Sequence, residues 1–422
     1  MFRNIFWMGL SSAVRLGTNL VLFILIARYL GPEEFGHYMF WYGATFLCAL
    51  LASYGLSNML LKEIAQHPEN VASTVSESLS LRLTLSLGIF LCAIGSSLLV
   101  DRSELLIILL LVHLLEIISD TFYVAYRAVG HYARESQLAA CAAIVQLVFV
   151  AMAVATNQRA GIIALAHLAG KIVQLAMILP VSRRAFGIIL LQPIYTTFKL
   201  AMRTKAYAID HLLGSAFGNI DSVILRIYTS FDAVGIYQSG MRIFQGGAHA
   251  APILANVFLP EMAKQVLCKE KYARTALVLQ ASFLIYGISF GFALAYFPNQ
   301  IIDLAFGEDY RPLAALLPLF GFLFFIRFFV ASWGVILTAV GQQRYRAKVI
   351  AIYLMFLLFI GSYLSHAMQA QGWLIAAILA NLLLAIMMMT RVIQLGFGES
   401  SNLSIGTLLL GCLLFATILF GR

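Results

Sequence analysis

Six cations (Arg15, Arg82, Lys171, Arg226, Arg242 and Arg327) and four acids (Glu116, Asp120, Asp210 and Asp221) stand inside long apolar runs of the sequence. An Arg at the middle of a bilayer-spanning helix costs about 2.5–3.5 kcal/mol on insertion scales, so such a charge must face a partner or a wet cavity. The chemistry on offer is anion binding. A guanidinium grips a phosphate with a planar fork, and a Lys ammonium adds a point charge. Arg15, Lys171 and Arg327 lie at mid-run and are the expected substrate-binding cations, with Arg242 as a fourth. Arg82 and Arg226 lie near run ends, where a long side chain snorkels to the interface. Glu116, Asp120, Asp210, Asp221, His113 and His249 are candidates for cavity lining or ion coupling, and the acids serve equally as ion-pair partners of the cations. No catalytic residue and no metal site is expected. Five cysteines without a CxxC spacing make neither a zinc site nor a disulfide framework.

The polar residues recur at helical spacing. Ser11, Arg15 and Thr18 share one face, as do His113, Glu116, Asp120 and Arg127, then His167, Lys171 and Gln174. Gln238, Arg242, Gln245 and His249 form a further stripe, and Asp210, Gly214, Gly218 and Asp221 another. Each helix therefore has one wet side, the signature of a bundle around a hydrated cavity.

The elements that carry these stripes follow from composition. The chain of 422 residues is 61% hydrophobic and 11% charged, against about 45–50% and about 25% in a soluble domain. A soluble enzyme is excluded. The apolar runs are continuous rather than alternating, which excludes a β-barrel. With roughly 20 residues needed per crossing, spans are expected near 5–28, 37–60, 77–100, 105–128, 137–156, 160–181, 206–228, 234–259, 275–297, 313–340, 349–365 and 373–390, and a last apolar run near 404–420. The short apolar stretch 185–198, which holds Pro193 and lies between Arg183/Arg184 and Lys199/Arg203/Lys205, reads as interfacial. The first run is retained as a span, because Arg15 interrupts it and no small-residue cleavage site follows.

Loop charges set the orientation. With the N-terminus inside, 17 Lys and Arg fall on one side, 5 on the other and 6 within spans; the rich side is cytoplasmic. The net charge of +9 is thereby explained without a nucleic-acid partner. The turn RYLGPEEFGHY (28–38) aligns with IYTSFDAVGIY (227–237), matching Tyr29 with Tyr228, Glu33 with Asp232, Gly36 with Gly235 and Tyr38 with Tyr237. Six spans separate the copies, so the halves run in the same sense. Parallel repeats place a substrate path between their lobes. The expected lobes are 1–200 and 201–395, six helices each, with 396–422 as an additional C-terminal span.

The stretch from Arg15 through LIARYLGPEEFGHY to YGLSNMLLKEIA (54–65) resembles the start of bacterial polysaccharide-biosynthesis flippases. DSVILRIYTSFDAVGIYQSGMRIF (221–244) and PILANVFLPEMAK (252–264) resemble the start of that family's second half. These are the O-antigen and exopolysaccharide translocases of the oligosaccharidyl-lipid/multidrug/polysaccharide exporter superfamily. The resemblance implies an all-α polytopic membrane protein of MATE-like fold, with two six-helix bundles in parallel repeat around a central cavity and 12–13 spans. It implies a cargo of polyprenyl-pyrophosphate-linked oligosaccharide, moved across the inner membrane for O-antigen, lipopolysaccharide or exopolysaccharide assembly. The expected partners are that lipid-linked oligosaccharide, membrane lipids, a polysaccharide polymerase and a chain-length regulator. Lipid II flippases of the superfamily usually have fourteen spans and a longer chain, which counts against a peptidoglycan precursor. Its multidrug exporters often carry an acid in the first span, where this chain has Arg15.

A drug or metabolite antiporter of the same fold is the alternative. An integral-membrane glycosyltransferase or polymerase fits poorly. The longest hydrophilic loops, 182–205 and 260–274, are basic and hold only Glu261 and Glu270 as acids. No GxxxxGK[ST] string is present, so the chain is expected to be no enzyme and to need no cofactor. Energy then comes from H+ or Na+ coupling, the membrane potential or consumption of the product.

Overall fold

Lipid offers the backbone no hydrogen-bond partners, so long apolar segments close their bonds within helices. In the computed structural model, the described residues form fourteen α-helices and no strand. Those residues are 2–98, 103–156, 159–187, 190–215, 220–266, 268–397 and 417, without the side chains of 2–12, 206, 210, 213 and 214. Eight helical segments among them are long and apolar enough to cross a membrane. The chain is a multi-pass membrane protein. It divides into two compact units, Met1–Val223 and Ile224–Arg422.

The first unit begins with α1 (Phe2–Ser53). At 1.5 Å per residue, an unbroken helix of that length would be about 78 Å long, more than twice the hydrocarbon thickness. It breaks at Gly31, where φ is 71° and ψ 170°, a conformation in which a side chain would clash and glycine does not. Pro32 then occupies the first position of the second leg, where its missing N–H costs nothing. The legs lie side by side, with the Phe23 and Tyr42 rings edge to face at 5.2 Å. There follow α2 (Leu56–Gln66), α3 (Val71–Ser97), α4 (Ser103–Ala128), α5 (Tyr132–Thr156), α6 (Ala160–Phe186) and α7 (Ile194–Ser215). Helix α4 packs on α1, α3 and α6, and α5 packs on α1 and α6. Helix α7 is tied to the end of α1 by Ser53 Oγ and His211 Nε2 at 3.1 Å. The Tyr54 hydroxyl donates to the Ala201 carbonyl.

Helix α8 (Ile220–Tyr228) carries the chain into the second unit. That unit contains α9 (Phe231–Ala248), α10 (Ala250–Gln265), α11 (Lys269–Tyr296), α12 (Pro298–Ala305), α13 (Leu317–Ala339) and α14 (Gln343–Gln394). Helix α14 is also a double-length element, broken at Gln369. Its legs meet where the Tyr345 hydroxyl donates to the Met387 carbonyl. Helix α13 is the best-buried element and packs on α11 and α14.

The turn repeat has a structural counterpart. Gly31, where α1 breaks, aligns with Ser230, which caps α9 by accepting the Ala233 N–H at 3.2 Å. Downstream most matched positions share their burial: Glu33 and Asp232 are exposed, whereas Phe35, Gly36 and Tyr38 are buried like Val234, Gly235 and Tyr237.

Several expected boundaries change. The stretch 185–198 is divided between two helices: α6 runs to Phe186, the Gln192 N–H donates to Ser80, and α7 starts at Ile194 rather than near 206. The expected span 234–259 is two helices meeting at His249. The apolar run 404–420 lies outside the described residues apart from Thr417.

Candidate functional site

Within the first unit, α1, α4, α5 and α6 turn their polar faces towards one another around a cavity of about 300 Å³. Arg15, Thr18 and Asn19 come from the first leg of α1, Tyr42 and Phe46 from the second. Helix α4 adds His113, Glu116 and Tyr123; α5 adds Gln146; α6 adds His167, Lys171 and Gln174. The i, i+3 and i, i+4 stripes of the sequence are the reason: each puts its members on one side of its helix.

Several polar groups on the wall hold one another or the backbone. Lys171 Nζ donates to Glu116 Oε2 at 2.5 Å and to Gln174 Oε1 at 3.2 Å. His113 Nε2 lies 3.1 Å from the Tyr42 carbonyl. A carbonyl only accepts, so that nitrogen carries the proton. The Tyr38 hydroxyl and His167 Nδ1 share a 2.7 Å hydrogen bond, and the Gln146 amide donates to the His167 carbonyl at 3.1 Å. Gln146 lies directly over Gly170, where a Cβ would come within 2.6 Å of its oxygen. Two adjacent helices thus approach closely because this position has no side chain.

Arg15 reaches the cavity from the other side. Its side chain is 51% exposed and its guanidinium lies 3.8 Å from Glu135 Oε1, itself only 5% exposed. Glu135 also faces Arg127 at 4.0 Å, and Arg127 faces Asp120 at 3.5 Å. Asp120 accepts from Ser57 at 2.6 Å and lies 3.7 Å from Arg82. Arg82 donates to the Ile117 carbonyl, the Thr121 hydroxyl and Ser57 at 2.7–2.8 Å. A continuous chain of alternating charge therefore leads from Arg15 through Glu135, Arg127 and Asp120 to Arg82.

The expected site residues are distributed as follows. Arg15, Lys171, Glu116 and His113 line the one cavity. Asp120 belongs to the adjoining charge chain. Arg327 and Arg242 belong to the second unit: Arg327 is exposed on α13, and Arg242 is buried on α9, where it donates to Gln245 at 3.2 Å. His249 is exposed at the junction of α9 and α10. Asp221 is buried in the first turn of α8, accepting the Ser222 N–H. The Asp210 side chain lies outside the described residues.

Arg82 does not snorkel. Its side chain has no exposed surface, and its hydrogen bonds run inward to α2 and α4. Glu135 is not among the expected residues, because the expected span begins at 137, whereas helix α5 begins at Tyr132. Asn19, Tyr42, Tyr123 and Gln146 are further wall residues that charge-based reasoning passes over. Tyr42 carries a weak signal, four residues after Tyr38 on one helix face.

Comparison with known proteins agrees with this architecture. The family model described as polysaccharide biosynthesis protein matches residues 1–266, more than half of the chain. The solved structure of the lipid II flippase MurJ in an inward closed conformation superposes with a TM-score of 0.74 at 12% identity, covering 98% of each chain. An inward-facing multidrug resistance MATE family transporter of the MOP superfamily gives 0.66 at 15% identity, covering 96% of this chain and 95% of that one. An outward-facing one gives 0.59 at 17%, covering 98% and 94%. Among curated protein sequences, none matches. The expected separation from lipid II flippases by length does not hold, since 98% of the flippase chain is covered. Extent of chain therefore does not distinguish the cargoes.

Proposed function

The chain belongs to the polysaccharide biosynthesis protein family, and from that premise we propose that it moves a polyprenyl-pyrophosphate-linked oligosaccharide from the cytoplasmic to the periplasmic leaflet. The observation that carries this reading is the cavity with Arg15 on one wall and Lys171 on another, both at mid-helix. A pyrophosphate is the part of such a cargo that most needs help, because its charge is the costliest group to bring into lipid. The Arg15 fork and the Lys171 ammonium supply charge-assisted hydrogen bonds to it. Each such bond is worth about 1.5–3 kcal/mol, so losing one weakens binding roughly 10- to 150-fold. Arg327 and Arg242, on the second unit, are the further cations proposed to contact the cargo. Glu116, Asp120, Asp210, Asp221, His113 and His249 remain the candidates for coupling to H+ or Na+. The setting is a bacterial inner membrane with the N-terminus cytoplasmic, as the loop charges imply. A polysaccharide polymerase and a chain-length regulator, working on O-antigen or exopolysaccharide, complete the process.

Export in cells lacking their own copy of this protein tests the reading. Arg15→Ala abolishes surface glycan while the protein's level in the membrane stays normal. Wild-type export by Arg15→Met overturns the role of that residue. A drug or metabolite antiporter shares the fold; it would show itself by efflux of a cationic dye together with undiminished surface glycan when the gene is deleted.

A further inference from the structure

The two cavity cations are held differently. Lys171 is 17% exposed and bonded at 2.5 Å to Glu116, whose side chain is 45% exposed and lines the same cavity. Arg15 is three times more open and stands 3.8 Å from Glu135, well beyond the 2.7–2.9 Å of a charge-assisted hydrogen bond. Glu135 is buried and also faces Arg127, so it keeps a cationic neighbour if Arg15 turns away. Glu116 is bonded to one cation among the described ion pairs, Lys171. An anion entering the cavity finds Arg15 nearly available and Lys171 already neutralised.

Resting on the proposed pyrophosphate reading, we propose that Glu116 is a built-in competitor of the cargo for Lys171. Binding at Lys171 is then an exchange of one anion for another. The pyrophosphate displaces the Glu116 carboxylate into the open cavity, and the returning carboxylate displaces the pyrophosphate. Arg15 makes the first capture, and the Lys171–Glu116 pair sets how readily the cargo leaves. The arrangement answers a general difficulty of carriers: two uncompensated cations in a low-dielectric site would hold a pyrophosphate too strongly to release it. Two features suit the exchange. Gln174 touches Lys171 at 3.2 Å and keeps one neutral contact on the ammonium while the carboxylate is away. Glu116 projects from α4 and Lys171 from α6, so the pair can part without unwinding either helix.

Titration of the purified, detergent-solubilised full chain with inorganic pyrophosphate tests this, read by calorimetry and paired with glycan export in cells. Glu116→Gln keeps the shape and removes the competing charge. It is expected to bind pyrophosphate at least tenfold more tightly than wild type while exporting glycan more slowly. A merely structural role would weaken both. Glu116→Asp, which keeps the charge but shortens the reach, falls between the two and covers the case in which the glutamine variant does not fold. Glu135→Gln tightens binding less than Glu116→Gln does. Unchanged or weaker pyrophosphate binding in both Glu116 variants overturns the proposal, as does a larger effect at Glu135. Lys171→Met and Arg15→Met separate this failure from failure of the underlying reading. If both bind pyrophosphate as wild type does, or if no form binds it, the anion site falls and the exchange with it. If both lose binding while the Glu116 variants change nothing, the exchange alone is overturned.

Discussion

In the first unit, α4 carries His113, Glu116 and Asp120 into a polar interior. In the second, α13 carries Phe320, Phe324 and Phe328 into an aromatic one, at the regular spacing of four. The Phe324 ring stacks on Phe328 at 4.6 Å and meets Phe290 at 4.5 Å and Phe244 at 5.3 Å; Tyr286 lies 5.1 Å from Phe328. Among the described ion pairs, those that reach into an interior, Lys171–Glu116, Arg15–Glu135, Arg127–Glu135 and Arg82–Asp120, belong to the first unit. The described pair of the second unit, Arg311–Asp303, lies on exposed side chains. Similar helical frames are thus filled by different physics. Interlocked rings have one good arrangement and hold their shape through contact. A chain of charges has several nearly equivalent pairings, and a ligand of the right charge can enter by taking one of them over.

The largest expected effect comes from breaking that charge chain at its buried end. Arg82→Ala leaves Asp120 and Ser57 facing an empty position and costs about 3–5 kcal/mol of stability, as loss of one partner from a buried pair does. The thermal unfolding midpoint of the purified protein and its abundance in the membrane both fall. Combining it with Asp120→Asn recovers part of the loss, because a neutral amide is cheaper to leave unpaired than a carboxylate. An Arg82→Ala protein as stable as wild type would remove the distinction between the two interiors.

Next in size is Phe324→Ala. Truncating a ring at the centre of the aromatic stack costs about 3 kcal/mol through the cavity it leaves. Export per molecule of folded protein is expected to stay at the wild-type level, since the Phe324 ring acts through packing. Loss of export at normal abundance would give the aromatic stack a part in transport.

How far this contrast is readable in sequence differs between its halves. The stripes His113–Glu116 and His167–Lys171–Gln174 are visible because helical spacing puts their members on one face. They do converge on one cavity. Which stripe meets which is not visible: Lys171 pairs with a residue 55 positions away, and nothing local in either helix names the partner. Arg82 was misplaced for a related reason. Position near the end of an apolar run permits snorkelling, and only the tertiary contacts with Ser57, Ile117 and Thr121 show that the side chain turns inward. The break at His249 has a local signal that hydropathy alone passes over, since Gly246, Gly247 and Pro252 flank it and weaken a continuous helix. The turns at Gly31 and Ser230 were legible, since Gly-Pro and a Ser at a helix start carry their own backbone preferences.

The smallest expected effects sharpen the comparison at those two turns. Ser230→Ala removes the cap on the Ala233 N–H and costs about 1 kcal/mol. Gly31→Ala forces a side chain into positive-φ, extended-ψ backbone and costs about 1–3 kcal/mol. Similar small shifts in unfolding midpoint mark the two turns as equivalent starting points. A severe defect at one of them alone would show that the copies have diverged in role.

The single-residue break at Gly31 also bears on how the protein is made and handled. Two legs joined by one glycine present the insertion machinery with a ready-made helical hairpin, in which almost every backbone group is already bonded within its own leg. There is no intervening loop to be threaded across the membrane, and nothing at that bend long enough for a protease to grip or an antibody to recognise.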